Sequence, residues 1–334
     1  MKNTFKLFGI IAVIVVIGLS FASCGDNGGG GGGGSVGELL ADGVIVDLNL
    51  EGTNLVAAAV AHANSNPEAG PFVLRLRSNL MVDAAATIGE GVHLTVEGIG
   101  GRRRITRSGN GNMFIVNGAN RSLTLGGNIT LAGHDGNTLA LINVGTAGTL
   151  TMNTGAWITG NTISAANQGA GVSVIGAGAT FTMNGGEIFD NTATSATTGG
   201  GVRVGNGASF VMHAGAVIRN NTTAGSNSAG GVLLVDAGST FTMLGGEIRG
   251  NEATGPTNNN AGGVRVGNGA FQVVTGVIYG GTGANANSGV TNDALLVDGG
   301  TAQFGTMVGG VFTPGAASLN STNNTIRVVN GALQ

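Results

Sequence analysis

The stretch GGGVRVGNGASFVMHAGAVIRNN, residues 199–221, contains the pattern on which the fold of this 334-residue chain depends. Apolar residues occupy every second position in three short runs, VRV, FVM and AVI. A period of two is that of a β-strand and not of a helix. Glycines separate the runs, where corners need a positive φ angle or a close backbone approach. The stretch therefore predicts three short strands joined by tight corners.

The same pattern returns every 30 residues. The asparagine that closes the unit recurs as Asn161, Asn191, Asn221 and Asn251, and an isoleucine precedes each of them by three residues. Three strands and three corners in about 30 residues predict one coil of a parallel β-solenoid, in which like residues stack about 4.8 Å apart. Each coil buries its apolar face on its neighbours, so the fold needs several repeats to be stable.

The repeats are clearest between residues 140 and 281. Strand alternation continues at 91–98, 113–133 and 293–304, which we predict to be further coils. We therefore assign residues 91–334 to an all-β solenoid of three-strand coils. Its composition agrees, because 66 glycines together with 42% hydrophobic residues favour a regular structure with many tight turns over a disordered chain.

The segment 37–90 is predicted to be an N-terminal cap consisting of a helix and the first strands. NLVAAAVAHA at 54–63 reads as one helix, and the proline-bounded stretch 67–71 ends it. A solenoid needs such a cover over the exposed apolar end of its stack.

The N-terminus predicts export. Lys2 and Lys6 precede the apolar run 7–19, which is shorter than the about 20 residues that span a membrane, so residues 1–23 read as a signal peptide. Ala22, Ser23 and Cys24 resemble a bacterial lipobox, in which cleavage precedes a cysteine that then carries acyl chains.

Cys24 is the chain's single cysteine, which excludes a disulfide framework. Phe21 departs from the leucine preferred in lipoboxes, and the alternative is cleavage after Ala22 with release of a soluble protein carrying a free thiol. The glycine-rich segment that follows, within 24–36, predicts a flexible tether with a root-mean-square span of about 20 Å.

The repeat text, GGGV followed by FTM, GG, I and N, resembles right-handed parallel β-helices of the pectate-lyase-like kind, and in particular bacterial surface lipoproteins built from such units. The resemblance covers roughly residues 90–334. It implies a right-handed solenoid, membrane attachment through N-terminal acyl chains, and a location at the bacterial outer membrane or cell surface, with a periplasmic or secreted protein as the alternative. It does not imply an activity, because the same coil carries lyases, hydrolases, adhesins and inert stalks.

The asparagines at the fixed corner have two interpretations. They look like ligands for a bound molecule, but stacked amides also hydrogen-bond along such a column, and we favour a structural asparagine ladder. Thr223 and Asn227 lie in the variable loop that follows Asn221, and we expect substitution of either to leave stability nearly unchanged. Such variable polar loops are also a place where recognition often resides.

Two further clusters have charged residues. Glu187 and Glu247 share one stacking position with Val217 between them, a separation of roughly 10 Å that suits an inverting carboxylate pair. Arg219 and Arg249, each two residues after an equivalent position, make surface ion pairs the favoured interpretation.

The arginines of GGRRRITR form the basic cluster of the chain. They are Arg102, Arg103, Arg104 and Arg107. Charge-assisted contacts would let them bind an acidic polysaccharide or a lipid headgroup, and the alternative is a solvated corner.

No residue is assigned to catalysis, metal binding or a cofactor. The four histidines show no metal-ligand spacing. After Lys6 the chain has twelve arginines against seventeen acidic residues, which disfavours nucleic acid as a partner. The sequence favours a non-enzymatic surface module for adhesion or interaction with a glycan or a protein, or a structural coat component. A polysaccharide-binding or polysaccharide-degrading solenoid is the alternative.

Overall fold

The computed structural model describes residues 36–46, 48, 55–256 and 259–334. Cys24, and with it the predictions of a signal peptide and of lipidation, lies outside the described residues. The described chain is an all-β parallel solenoid with coils of about 30 residues, which confirms the predicted fold class.

Three long sheets run along the solenoid. Sheet A, in spatial order, consists of Val44–Val46, Gly37–Ala41, Phe72–Leu76, His93–Gly98, Ser122–Leu125, Thr149–Met152, Thr180–Met183, Ser209–Met212, Thr240–Met243, Ala270–Val273, Thr301–Val308 and Val311–Ser318. Sheet B consists of Leu80–Val82, Arg103–Arg107, Ile129–Ala132, Trp157–Thr159, Gly186–Phe189, Ala216–Arg219, Glu247–Arg249, Gly276–Ile278, Ile326–Val329 and Ala332–Leu333. Sheet C consists of Ala86–Thr87, Phe114–Val116, Ile142–Val144, Val172–Ile175, Val202–Gly205, Val232–Leu234, Val264–Val266 and Leu295–Val297.

The interior is made of stacked columns of like side chains. Phe181, Phe210, Phe241 and Phe271 are fully buried or nearly so, and their rings stack with centroid distances of 4.7, 4.6 and 4.8 Å. These distances match the strand spacing, because each ring lies directly over the ring of the neighbouring coil. Methionine and isoleucine columns fill sheets A and B in the same way. The predicted internal ladders are confirmed.

Five successive coils also have a short fourth strand that the sequence pattern did not indicate. It follows the recurrent asparagine and consists of two residues, at Thr162–Ile163, Thr192–Ala193, Thr222–Thr223, Glu252–Ala253 and Ser288–Gly289. These strands pair in parallel as sheet D. Two residues are too few to show a period of two, which is why alternation alone missed them.

The N-terminal helix, Leu55–Ser65, is the one α-helix among the described residues. Its buried residues, Leu55, Val56, Ala59, Val60 and Ala63, lie on one face and join the main core. The helix contacts Phe72–Leu76 of sheet A and Ala86–Thr87 of sheet C, the first parallel strands of those sheets, so it covers the end of the stack as predicted. A 3₁₀ turn, Pro67–Ala69, follows it.

The parallel stack begins inside the segment assigned to the cap, because Phe72–Leu76 already pairs in parallel with His93–Gly98. At the other end the predicted coil at 293–304 is present, since Leu295–Val297 pairs in parallel with Val264–Val266. The chain then turns back as antiparallel strands. Thr301–Val308 forms a hairpin with its successor in sheet A, and Ile326–Val329 pairs antiparallel with Gly276–Ile278.

Candidate functional site

The asparagine column is buried and continuous. Asn161, Asn191, Asn221 and Asn251 are all fully buried. The Nδ2 of Asn191 donates to the Oδ1 of Asn221 at 3.0 Å, and Asn221 donates to Asn251 at 2.9 Å. Two further members, Asn137 and Asn287, extend the column at its ends. Sequence reasoning missed these two because their spacings are 24 and 36 residues, not 30.

The hydrogen bonds of Asn221 show what the column does. Its Oδ1 accepts from both the Nδ2 and the backbone N–H of Asn191, while its Nδ2 donates to Asn251 and to the carbonyl oxygen of Ile188 at 2.9 Å. The amide therefore joins three coils and satisfies buried backbone groups at the corner. This geometry is that of a structural ladder.

A second buried ladder of side chains follows beside the first. The Oγ of Ser228 accepts from the backbone N–H of Thr198 at 3.0 Å, and the Oδ1 of Asn260 accepts from that of Ser228 at 2.9 Å. Thr223 belongs to this layer, with its hydroxyl 2.9 Å from that of Thr198 and its side chain fully buried. The assignment of Thr223 to the variable loop was wrong, because it ends the fourth strand, which turns its side chain inward.

The variable loops cover the outer side of sheet C. The carbonyl of Asn227 accepts from Nη1 of Arg265 at 3.2 Å, and the Oγ of Ser173 donates to Gln168 at 3.1 Å. Arg203 and Arg265 are buried under this layer and reach Asp236 and Asp298 at 3.5 and 2.7 Å. Burial lowers the pKa of Arg203, and the charge of Asp236 opposes that shift.

The four clustered arginines do not form one exposed patch. The Cζ of Arg102 lies 3.3 Å from the centroid of the Trp157 ring, and its Nη1 donates to the carbonyl of Gly155 at 2.9 Å. Arg103 is half-buried against the glycine corner. Arg107 is buried, donates to three backbone carbonyls, and has its pKa lowered by that burial. Arg104 is the exposed member of the cluster.

The outward side chains of sheet B, called face B from here on, differ from coil to coil. In register along one column they are Arg104, Thr130, Trp157, Glu187, Val217, Glu247, Val277 and Arg327. Trp157 contacts Phe189 edge-on with ring centroids 5.6 Å apart, and the Cζ of Arg219 lies 4.2 Å from the Phe189 ring centroid.

The two glutamates of face B are ion-paired. The Nε of Arg219 is 2.7 Å from Oε2 of Glu187, and the Nε of Arg249 is 3.4 Å from Oε2 of Glu247. Val217 pairs with both glutamates in the sheet register, so the predicted stacking and the favoured ion-pair interpretation are confirmed.

An open groove lies at the C-terminal end of face B and along its corner with sheet A. We call it the B groove, and its volume is about 490 Å³. Its lining is Ala214, Gly215, Ala216, Val217, Gly245, Gly246, Glu247, Thr275, Gly276, Val277, Arg327, Val328 and Val329. Gly246 has a φ angle of +89°, and a Cβ there would lie 2.5 Å from the carbonyl oxygen of Ala216. The sharp corner that forms the groove wall therefore requires glycine.

Arg327 and Val329 reach the groove because the C-terminal segment returns antiparallel to the last strand of the stack. Sequence reasoning missed them, since the C-terminal segment lacks the repeated sequence motif. The alternating IRVV at 326–329 is the signal that indicates a strand, but it does not indicate the neighbour.

The outward side chains of sheet A, called face A, carry mostly hydroxyl groups in the middle coils, whereas Arg75 and Glu97 form an ion pair near its N-terminal end. Thr95, Thr124, Thr151 and Thr182 stack in register on four successive strands. In the adjacent column the Oγ1 of Thr180 donates to that of Thr149 at 3.2 Å.

No three His, Cys, Asp or Glu side chains of the described residues are grouped as a metal site. In the same part of the chain no helix is long and apolar enough to cross a membrane. No protein-family model, curated protein or solved structure matches the chain.

Proposed function

We propose that this protein is a surface lipoprotein that binds an external ligand through face B without transforming it. The observation that carries the proposal is the B groove, an exposed site set on a scaffold whose buried asparagines are engaged in hydrogen bonds between coils. Sheet C is covered by loops, and face A presents mostly hydroxyl side chains in its middle coils. The varied side chains of face B therefore offer the greater chemical specificity.

The proposed location at the membrane surface rests on Cys24 and the segment around it. Acyl chains on Cys24 would anchor the chain, and the glycine-rich segment would hold the solenoid clear of the lipid headgroups without fixing its orientation. The ligand in this proposal is a glycan or a protein outside the cell. Catalysis, a cofactor and nucleic acid have no part in it.

The second candidate, a polysaccharide-degrading enzyme, rests on Glu187 and Glu247. Their separation of two strands, roughly 10 Å, is close to that of an inverting pair. The general acid of such a pair must be protonated before the reaction, which usually requires an apolar enclosure. Both glutamates instead lie on an open sheet face beside an arginine. We therefore favour binding over hydrolysis.

Membrane attachment is tested by expressing the wild type and Cys24→Ser in the same bacterial host. We expect labelled palmitate to enter the wild type, and the variant to move from the membrane fraction to the aqueous fraction. Palmitate failing to label the wild type would contradict the proposed anchor.

Binding is tested by screening the purified full-length protein on a glycan array, with a parallel assay for sugar release from the captured glycans. We expect retention without release. Turnover of any captured glycan would favour the enzymatic candidate. If that turnover were lost in Glu187→Gln or Glu247→Gln, the carboxylate pair would be its site.

A further inference from the structure

The exposed apolar side chains of this protein lie at the two ends of the solenoid. Every large one among the described residues belongs to, or directly follows, a strand at the end of a sheet. They are Val44, Ile45 and Met81 at the N-terminal end, and Val290, Met307, Val308, Val311, Val329 and Leu333 at the C-terminal end. The described coils between the two ends expose no large apolar side chain.

At the N-terminal end, sheet A closes with an antiparallel hairpin. Among the described strands, Val44–Val46 pairs only with Gly37–Ala41, which leaves its other edge free. Val44 and Ile45 are 54% and 65% exposed. Adjacent residues of a strand point to opposite faces of the sheet, so this strand is uncovered on both faces as well as along one edge.

The C-terminal end of sheet A has the same form. Within the described chain, Val311–Ser318 pairs only with Thr301–Val308, and Phe312 is its single residue that is not exposed. Val308 and Val311, 64% and 68% exposed, flank a turn of two glycines at the tip of the hairpin. A two-stranded hairpin that is uncovered on both faces is marginally stable by itself. Each end therefore presents apolar surface of the kind that a partner covers.

The charges of the two ends are complementary. Residues 36–90 contain two arginines and seven acidic residues, whereas residues 299–334 contain one arginine and no acidic residue. Two N-terminal ends therefore repel each other, and an N-terminal end attracts a C-terminal end. Docking of unlike ends also continues the stack from one copy into the next, because successive coils stack in one direction along the axis.

Pairing between the free backbone edges of the two hairpins is disfavoured. Pro314 lies within the last strand of sheet A and lacks the N–H that an added strand would use. At the other end, Val44–Val46 has only three residues, which is a short template for pairing. We therefore expect side chains to make the contact between the ends, so that the contact is reversible.

We propose that the partner covering these ends is a second copy of this chain. The N-terminal end of one copy, with Val44 and Ile45, docks on the C-terminal end of the next, with Val308 and Val311. Because the two docking surfaces differ, each assembly keeps one free end of each kind, and repeated docking builds an open filament instead of a closed dimer. Face B runs along the side of this filament, so its outward side chains repeat once per copy.

The test is sedimentation of the purified full-length chain carrying Cys24→Ser, to which neither acyl chains nor detergent contribute. The average mass should rise with protein concentration past that of a dimer. Val44→Asp with Ile45→Asp, or Val308→Asp with Val311→Asp, should each raise the dissociation constant at least about tenfold, because two charges would be buried in the contact. All four side chains are exposed, so both double variants should keep the circular dichroism of the unsubstituted chain.

Mixing the two double variants distinguishes docking of unlike ends from other contacts. Each variant keeps one intact end, so an equimolar mixture should form a dimer with one copy of each and nothing larger. The matched control is Asn184→Asp, which adds an exposed charge beside Thr180–Met183 in the middle of sheet A and should assemble like the unsubstituted chain.

Four results would overturn the proposal. The unsubstituted chain could stay monomeric at every concentration, or it could stop at a dimer, which would indicate a contact between like ends. Either double variant could assemble as strongly as the unsubstituted chain. Finally, the mixture of the two variants could stay monomeric, which would mean that the two ends do not bind each other.

Discussion

Faces A and B are built by the same coils, yet their outward side chains follow different rules. In the middle coils of face A one coil repeats the next, with threonine above threonine at Thr124, Thr151 and Thr182. On face B each coil differs, so that Trp157 lies beside Glu187 and Glu187 beside Val217. Alternation restricts only the inward residue of each strand, and the outward residue is free to vary.

Both faces use cross-strand pairs to hold neighbouring coils together, but with different chemistry. Face A joins hydroxyls in its middle coils, as between Thr180 and Thr149, and one charged pair, Arg75 and Glu97, near its N-terminal end. Face B joins charges in its middle coils, as between Arg219 and Glu187. Exposed pairs of either kind contribute little to stability. The stability of the solenoid therefore resides in the shared interior. The two faces differ in the side chains that they present to solvent.

The largest expected loss of stability comes from disrupting the interior that both faces share. Deleting Phe210 alone shifts the alternation of its strand and directs Val211 inward and Met212 outward. The loss should exceed the about 3–5 kcal/mol that Phe→Ala substitutions cost in cores. Deleting the whole period, residues 199–228, should instead leave a shorter folded solenoid, because Phe181 then stacks on Phe241. Circular dichroism and protease resistance would rank the two deletions, and the reverse ranking would contradict the assigned coils.

A smaller loss of stability is expected from substitutions in the buried asparagine ladder. Asn221→Leu removes the side-chain acceptor of the buried Asn191 backbone N–H and the side-chain donor to the Ile188 carbonyl, at about 1–3 kcal/mol for each group. The matched control is Asn184→Leu. Asn184 donates to Asn153 in the preceding coil at 3.0 Å, the same length as the bond from Asn191 to Asn221, but it is exposed. Thermal midpoints should fall clearly for the first variant and hardly for the second. Equal midpoints would mean that burial is not what gives the ladder its importance.

The smallest change in stability is expected from a substitution on face A. The Thr182 hydroxyl is half-buried and has no protein partner among the described residues, and the next position in its column is already Val211. Thr182→Val should therefore change the free energy of unfolding by less than about 0.5 kcal/mol. It should also leave binding of a glycan captured on the array unchanged. Chemical denaturation and titration check both statements, and lost binding would move the site from face B to face A.

The sequence predicted the coils, the interior columns and the asparagine ladder, because each follows from a 30-residue period and a two-residue alternation. It did not predict where Arg327 lies. That residue reaches the groove because the C-terminal segment returns antiparallel to Gly276–Ile278. Local periodicity does not predict which segments distant in sequence will pair. The arginine cluster shows a similar limit. Sequence proximity suggested one patch, but strand alternation and the corner separate exposed Arg104 from buried Arg107.

The most direct test of the division between scaffold and binding face is thermal unfolding with and without a glycan that the array captures. A ligand that binds only the folded state raises the midpoint. We predict that Asn221→Leu lowers the midpoint of the free protein but keeps the ligand-induced rise, since Asn221 does not line the groove. Arg327→Gln should keep the midpoint of the free protein and lose the rise. The opposite result, a rise lost in Asn221→Leu and kept in Arg327→Gln, would contradict the account and place the ligand at the asparagine corner.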